Sequence, residues 1–222
     1  MSADLEELPL FPLNTVLFPY ASIQLHVFEE RYRRLVHDCL EYDRPFGIVL
    51  IRSGDEVGGH ADPYLVGTAV RIREVHHFED GRMDIHVHGE RRFRIRRYEE
   101  GGLYPRGLVE PVIEMESDES PRETALVMRA RDDFKMLVED LFSEQDVNVQ
   151  VLFPSDPVAL SFTIANALSM GNLEKQRLLE TTDTAERIRS LIPVLERQLI
   201  ERTQPEFFRV TSRDLSEFYS PN

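Results

Sequence analysis

Residues 72–88 read Ile72-Arg-Glu-Val-His-His-Phe-Glu-Asp-Gly-Arg-Met-Asp-Ile-His-Val-His88, two alternating runs joined by a turn dipeptide. Asp80-Gly81 tolerates the positive φ angles of a type I′ turn, so the sequence predicts a β-hairpin with a two-residue loop. That loop would set Phe78 opposite Met83. One face of the hairpin would be apolar and the other polar, which favours a sheet with one buried side.

The two faces of this predicted hairpin differ in chemistry. The apolar face consists of Ile72, Phe78, Met83, Ile85 and Val87. The polar face carries His77, His86 and His88 beside Asp84. Imidazole and carboxylate groups bind metals, but a specific site also needs surrounding groups that orient the ligands, and none is visible in the sequence. We therefore expect a solvated polar face, no metal and no other cofactor, with a metal site on the three histidines as the open alternative.

Strand signals fill most of the rest of the amino-terminal half. Ile23–Val27 alternates, and Phe46–Ile51 is a continuous apolar run typical of a strand buried on both faces. Gly89 and Gly101-Gly102 are expected to break the stretch that follows the hairpin. One helix interrupts the strands, because Phe28–Tyr42 has apolar residues at three- and four-residue steps and acidic residues in its first turn.

The character of the sequence changes after Met115, where the acidic segment Glu116–Ser120 precedes a long helical pattern. A capping box and a proline at the first helical position predict a helix over Pro121–Ser143. Further helices are predicted to start at Asp156-Pro157, after Asn172 and at Asp183. The predicted organisation is therefore a strand-rich domain over residues 1–115, a helical domain over 116–204 and a carboxy-terminal tail over 205–222.

Composition excludes several classes of function. The chain has 222 residues with 26 basic and 40 acidic side chains, a net charge of −14 that disfavours binding to phosphate backbones or anionic lipids. Cys39 is the single cysteine and lies at an apolar helical position, which predicts a packed, inert thiol. Neither lysine, Lys135 or Lys175, follows a glycine, so no P-loop is present, and no G-x-S-x-G nucleophile motif occurs. We predict a protein without catalytic activity.

The sequence predicts no export signal and no membrane-spanning segment. The first thirty residues contain no lysine or arginine, whereas a secretory signal begins with basic residues. The longest aliphatic run, Phe46–Ile51, is far shorter than the roughly 20 residues of a membrane span. We expect a cytoplasmic protein that does not cross a membrane.

A cluster of arginines follows the hairpin. Arg91, Arg92, Arg94, Arg96 and Arg97 alternate with inward-facing apolar residues in a strand pattern. In a chain of this charge, we expect the protein's own carboxylates to neutralise the cluster. The alternative is a basic contact stripe of Arg92, Arg94 and Arg96 that binds an acidic partner such as RNA.

The order of short motifs along the chain resembles a known family. The first four are Leu8-Pro-Leu-Phe-Pro-Leu13, Val16-Leu-Phe-Pro19, Leu25-His-Val-Phe-Glu-Glu-Arg-Tyr32 and Phe46-Gly-Ile-Val49. They continue with Val66-Gly-Thr68, Asp80-Gly81-Arg82, Gly89-Glu-Arg-Arg-Phe-Arg-Ile95 and Tyr104-Pro105. Together they resemble the substrate-binding amino-terminal domain of ATP-dependent Lon proteases over about residues 8–200.

This resemblance implies an α+β fold, a PUA-like β-pseudobarrel with one inserted helix followed by a carboxy-terminal α-helical bundle. It also implies recognition of unfolded or client polypeptides, with a protease or chaperone encoded elsewhere as a further candidate partner. Because the sequence ends at Asn222 without an ATPase or Ser-Lys protease domain, we expect a stand-alone domain that acts as an adaptor or holder. Binding of RNA through the PUA-like fold is the alternative function.

A polypeptide-binding module needs apolar side chains at its surface with a polar rim. The segment that leads into the first helix combines aromatic residues with paired charges. We hypothesise that a groove between barrel and helix is bordered by Phe18, Pro19, Tyr20, Phe28, Glu30, Arg31 and Arg34. The alternative for each aromatic residue is ordinary packing in the core.

Overall fold

The computed structural model of the chain describes residues 5–58, 60–116, 120–143 and 153–203. The strands within these ranges are β1 (Glu6–Leu13), β2 (Ser22–Val27), β3 (Phe46–Gly54), β4 (Ala61–Pro63), β5 (Val66–His77), β6 (Met83–Glu99) and β7 (Arg106–Pro111). The helices are α1 (Glu30–Glu41), α2 (Pro121–Ser143), α3 (Pro157–Ala167), α4 (Asn172–Glu180) and α5 (Thr184–Thr203). None of the described helices is long and apolar enough to span a membrane.

The sheet closes on itself. Its strands follow the order β1-β7-β6-β5-β3, and β1 also pairs in parallel with β3, so these five strands form a ring. β2 pairs with β6 outside the ring, and β4 pairs antiparallel with the end of β3. The α+β class and the barrel with one inserted helix are therefore confirmed.

Two apolar clusters hold the barrel and its helix. One consists of Leu8, Leu10, Val49, Ala69, Phe93, Ile95 and Val109. In the other, α1 contributes Tyr32, Leu35, Val36 and Cys39, which pack with strand residues such as Ile85. α1 begins at Glu30, two residues after the predicted start, because Glu29 keeps an extended backbone.

The hairpin between β5 and β6 has a longer loop than predicted. The Phe78 amide donates to the Arg82 carbonyl (2.9 Å), the Gly81 amide donates to the Phe78 carbonyl (3.0 Å), and Gly81 has φ of 81°. These contacts define a three-residue loop in which glycine takes the left-handed position. Met83 therefore pairs with His77, so the predicted pairing with Phe78 is wrong, and Phe78 is exposed rather than part of the apolar face.

β6 runs without a break through Gly89, contrary to expectation. A Cβ atom at this position would lie 2.5 Å from the Phe18 carbonyl oxygen. The β5–β6 register also shifts beside it, between Ala69 and Val70. Gly89 thus marks a close backbone approach within a bulged strand rather than the end of a strand.

The described residues fall into two compact units. The first combines residues of Met1–Ser117 with Pro154–Arg187, and the second combines residues of Asp118–Phe153 with Ile188–Asn222. The first unit therefore includes α3 and α4, whereas the sequence pattern predicts them in a helical domain over 116–204. The predicted tail, 205–222, lies outside the described residues.

Specific contacts explain why α3 and α4 belong with the strands. The Gln176 side-chain amide of α4 donates to the Val66 carbonyl of β5 (3.0 Å), and the rings of Phe162 in α3 and Phe18 are 5.9 Å apart. The second unit contains α2, whose bounds match the prediction, and most of α5. Arg202 and Asp140 join these two helices (2.6 Å).

Candidate functional site

The first predicted site residues serve the core. Phe18 is completely buried, and Pro19 is buried as well, so neither borders a surface groove. This corrects the hypothesis for both residues, because an apolar ring that packs against an α3 phenylalanine is withdrawn from solvent. Tyr20 is half-exposed and has φ of 67°, with its amide donating to the Gly89 carbonyl (2.8 Å).

The remaining predicted residues lie at the start of α1 and line two depressions. The β2 groove, with a volume of about 240 Å³, is lined by Phe11, Leu13, Gln24, Leu25, His26, Val27, Phe28, Glu29, Tyr32, Glu56 and Val57. The Leu103 depression, about 430 Å³, is lined by Glu30, Arg31, Arg34 and Leu103. The hypothesised groove residues thus line two different depressions, Phe28 the β2 groove and the three charged residues the Leu103 depression.

The floor of the β2 groove is apolar and tightly packed. The rings of Phe11 and Tyr32 are stacked with centroids 3.9 Å apart, and the Arg31 guanidinium lies 4.5 Å from the Tyr32 centroid. Burial raises the pKa of the Tyr32 hydroxyl well above its usual range, so this hydroxyl stays neutral. Leu25 and Val27 complete the floor with buried side chains. The groove is therefore preformed.

The rim of the β2 groove combines exposed apolar side chains with carboxylates. Phe28 exposes 47% of its surface and Val57 57%. The Glu29 carboxylate contacts Arg31 Nη2 (3.1 Å) and accepts from the Gly58 amide (3.1 Å). The Glu56 carboxylate accepts a hydrogen bond from the backbone amide of Asn14 (2.9 Å). The groove is lined by two carboxylates and by no lysine or arginine, and since Arg31 pairs with Glu29, the acidic character of the rim comes mainly from Glu56.

The Leu103 depression carries both signs of charge. Arg34 Nε lies 3.0 Å from the Asp38 carboxylate one turn along α1, and Glu30 pairs with Arg33 (3.0 Å). Leu103 is 60% exposed between these groups. This is a shallow surface with one apolar side chain and a mixed charged border.

An aromatic patch that the sequence did not indicate lies beside the β2 groove. The His26 ring lies 6.0 Å from both the Phe28 and the Phe78 rings, and His76 lies 4.9 Å from Phe78. His26 Nδ1 is 2.6 Å from Asp84 Oδ1. The alternation along β2 predicts that the His26 side chain is exposed. Phe78 contacts this patch because the three-residue hairpin loop leaves it outside the strand pairing.

His77, His86 and His88 do not belong to a group of side chains at metal-ligand spacing within the described residues. His88 Nδ1 contacts the Ser22 hydroxyl (3.0 Å), and His77 pairs with Met83 across the strands. Within the described ranges, metal-ligand spacing is found at a different group, His37, Asp38 and Glu41. Both carboxylate oxygens of Asp38 are already engaged, because one accepts from the Tyr104 hydroxyl (2.9 Å) and the other pairs with an arginine. This group is therefore poorly suited to bind a cation.

Four arginines of the stripe pair with carboxylates of the chain, and Arg92 is the buried one among them. Arg92 is 3% exposed and donates to the carbonyls of Leu179 (2.6 Å) and Thr181 (2.7 Å) and to the Glu114 carboxylate. This corrects its assignment as a surface contact. The other pairs are Arg91 with Glu6, Arg96 with Glu110 and Arg97 with Glu99. Arg94 is half-buried between Val66 and Glu110 in the sheet, so self-neutralisation describes this stripe best.

The cysteine is a packing residue. Cys39 is buried and free, and its thiol faces the Pro45 carbonyl at 3.9 Å. Burial raises the pKa of the thiol to about 11. A thiol that stays protonated and covered at neutral pH is a poor nucleophile.

The sequence matches proteins of one kind. A family model described as the ATP-dependent protease La (LON) substrate-binding domain matches residues 7–197. The chain is 30% identical over 196 residues to Lon protease 2 of Syntrophobacter fumaroxidans and 27% identical over 197 residues to Lon protease of Escherichia coli. These alignments cover 87% of this chain but 25% of each relative, so the chain spans about a quarter of the length of these curated relatives.

Solved structures give the same result. The crystal structure of a Lon N-terminal domain protein from Xanthomonas campestris superposes with a TM-score of 0.63 at 30% identity, covering 85% of this chain and 98% of that chain. The N-terminal domain of a Mycobacterium avium complex Lon protease superposes with a TM-score of 0.66 at 24% identity, covering 86% and 98% respectively. At 24% identity, the second similarity is evidence for a shared fold alone.

Proposed function

This chain belongs to the family of the ATP-dependent protease La (LON) substrate-binding domain, and we propose on that premise that it binds unfolded or extended polypeptides without chemistry of its own. In this proposal it acts as an adaptor or holder for client chains. A protease or chaperone made separately is a candidate recipient of those clients.

The observation that carries the proposal is the β2 groove. Its apolar floor is preformed, and Phe28 and Val57 stand exposed beside it. Apolar side chains at a concave surface with a polar rim are typical of protein interaction sites. The Leu103 depression, with Glu30, Arg31 and Arg34, lies at the same end of α1 and supplies charged contacts of both signs.

No specific observation favours RNA as the ligand. The net charge of −14 repels a phosphate backbone, and most of the arginine stripe is paired within the chain. RNA therefore enters only as a comparison in the test of the proposal.

Fluorescence anisotropy tests the proposal directly. A labelled polypeptide kept unfolded by reduction and carboxymethylation is titrated with the protein, beside the folded polypeptide and a single-stranded RNA, at low and moderate salt. We expect saturable binding of the unfolded polypeptide alone. Binding of RNA alone, with a steep loss at moderate salt, would overturn the proposal.

Phe28→Ala tests whether the β2 groove is the site. Phe28 is 47% exposed, so a bound chain that covers about 90 Å² of its side chain gains about 2 kcal/mol of binding free energy. Loss of the ring should therefore raise Kd about 30-fold. Tyr42→Ala is the matched control, since Tyr42 is an exposed aromatic at the other end of α1. Equal affinities for the two variants would contradict the assignment of the site.

A further inference from the structure

One edge of β2 has no strand beside it. Within the described part of the chain, β2 pairs with β6 through Ser22–Val27 and with no second strand. A strand edge of this kind presents a row of backbone donors and acceptors to a further chain.

The direction of these backbone groups follows from one hydrogen bond. The Gly89 amide donates to the Ala21 carbonyl (2.8 Å), and the register runs on without a shift from Ser22 opposite His88 to Val27 opposite Met83. In an antiparallel pair, hydrogen-bonded and non-hydrogen-bonded positions alternate. The odd-numbered residues of β2 therefore bond to β6, and the amides and carbonyls of Gln24 and His26 point away from it.

This outward-facing edge lies in the β2 groove. Gln24 and His26 line the groove together with the apolar floor that Phe11 and Tyr32 form. At about 240 Å³, the groove is smaller than the roughly 300–1,000 Å³ pockets that enclose small ligands. Its size suits a single apolar side chain presented by a chain that runs along the strand.

We propose that an extended polypeptide segment adds to the free edge of β2 as a further strand. The inference rests on the proposed function and specifies its mode of binding. Hydrogen bonds to a strand edge involve only the backbone, so they are available to any sequence and suit a site for unfolded chains. An apolar side chain of the segment enters the groove and adds affinity.

Charge favours a segment with a basic residue next to its apolar one. Glu29 and Glu56 both line the groove, which contains no lysine or arginine, although Arg31 partly offsets Glu29. The net charge of −14 attracts a basic segment at longer range. The occupant is therefore an extended segment with an apolar side chain beside an arginine or lysine.

A scan of backbone methylation in the ligand tests strand addition. Labelled peptides rich in valine and threonine, with a central leucine followed by arginine, are made with one N-methyl group at successive positions. We expect methylation at every second residue to weaken binding about tenfold or more, because it removes a hydrogen bond to the edge. Methylation at the intervening residues should leave the affinity unchanged.

A second measurement reads the same alternation in the protein. Amide hydrogen exchange by NMR should show Ile23 and Leu25 protected before the peptide is added. The amides of Gln24 and His26 should gain protection only when the peptide is bound. Glu56→Lys adds a charge test, since it should weaken binding of the arginine peptide and strengthen that of its glutamate counterpart.

The outcomes separate this inference from the proposed function. If the unfolded polypeptide binds but the methylation scan shows no alternation, strand addition is overturned and the proposed function stands. The inference is also overturned if the Gln24 and His26 amides are protected in the peptide-free protein. Sedimentation would then show whether a second copy covers the edge. If no polypeptide binds at all, the proposed function itself fails.

Discussion

Glu114→Gln should destabilise the protein strongly, because Glu114 is the carboxylate between two buried arginines. Arg187 is fully buried and Arg92 nearly so, with their guanidinium carbons 4.0 and 5.2 Å from the centroid of the Phe162 ring. Glu114 contacts both, with 3.1 Å to Arg187 Nη2. Burial lowers the pKa of Arg92 to about 10, so it is still charged at neutral pH.

The magnitude follows from the burial of the pair. Removing one partner of a buried ion pair costs about 3–5 kcal/mol, because the remaining charge is left in a medium that solvates it poorly. The Glu114 side chain is 26% exposed, which places the expected loss at about 3 kcal/mol, the lower end of that range. Stabilities of single domains lie at about 5–15 kcal/mol, so the loss is a large part of the total.

Urea denaturation followed by circular dichroism measures this loss. With a slope of about 2 kcal/mol per molar urea, the midpoint should fall by about 1.5 M while the slope stays the same. Glu116→Gln is the control, since Glu116 is exposed and two residues away. A midpoint for Glu114→Gln equal to that of the control would refute the view that this carboxylate holds two buried charges.

Three further predictions concern stability and reactivity. Burial favours the protonated form of Asp38, but the Tyr104 hydroxyl and nearby arginines outweigh this effect and hold the pKa of Asp38 below its usual range. The free energy of unfolding should therefore fall as the pH drops below about 4. Asp38→Asn should reduce this loss in acid denaturation. Cys39 should react with iodoacetamide far more slowly in the native protein than in urea, as followed by mass spectrometry; equal rates would contradict its burial. Gly89→Ala should cost about 1–3 kcal/mol, because its methyl group meets backbone that cannot move aside, whereas Gly101→Ala should be nearly neutral in the same thermal melts.

The sequence predicts local structure well where one period dominates. The predicted helix over Pro121–Ser143 is confirmed at both ends. Its start is well defined by the capping box and the proline. The hairpin turn is present at Asp80-Gly81, as predicted. Its loop length, however, is set by the backbone hydrogen bonds of Phe78 with Gly81 and Arg82. That difference of one residue shifts the pairing and exposes Phe78.

The candidate site was harder to predict, because it depends on contacts between distant segments. Phe18 and Phe28 look alike in sequence, yet one packs against α3 and the other stands at the groove rim. Val57 belongs to a loop with no periodic signal and joins the groove only through folding. The pairing of Arg92 with Glu114 also links separate segments, although the overall charge balance did predict a neutralised stripe.

Photo-crosslinking of an unfolded polypeptide to the intact protein tests the central claim most directly. A reduced, carboxymethylated polypeptide carrying a benzophenone group is irradiated with the protein, and the attachment sites are mapped by mass spectrometry. We predict attachment at the rim of the β2 groove, at Phe28 and Val57. Attachment concentrated on Arg94–Arg97 instead, or spread evenly over the surface, would contradict the groove as the polypeptide-binding site.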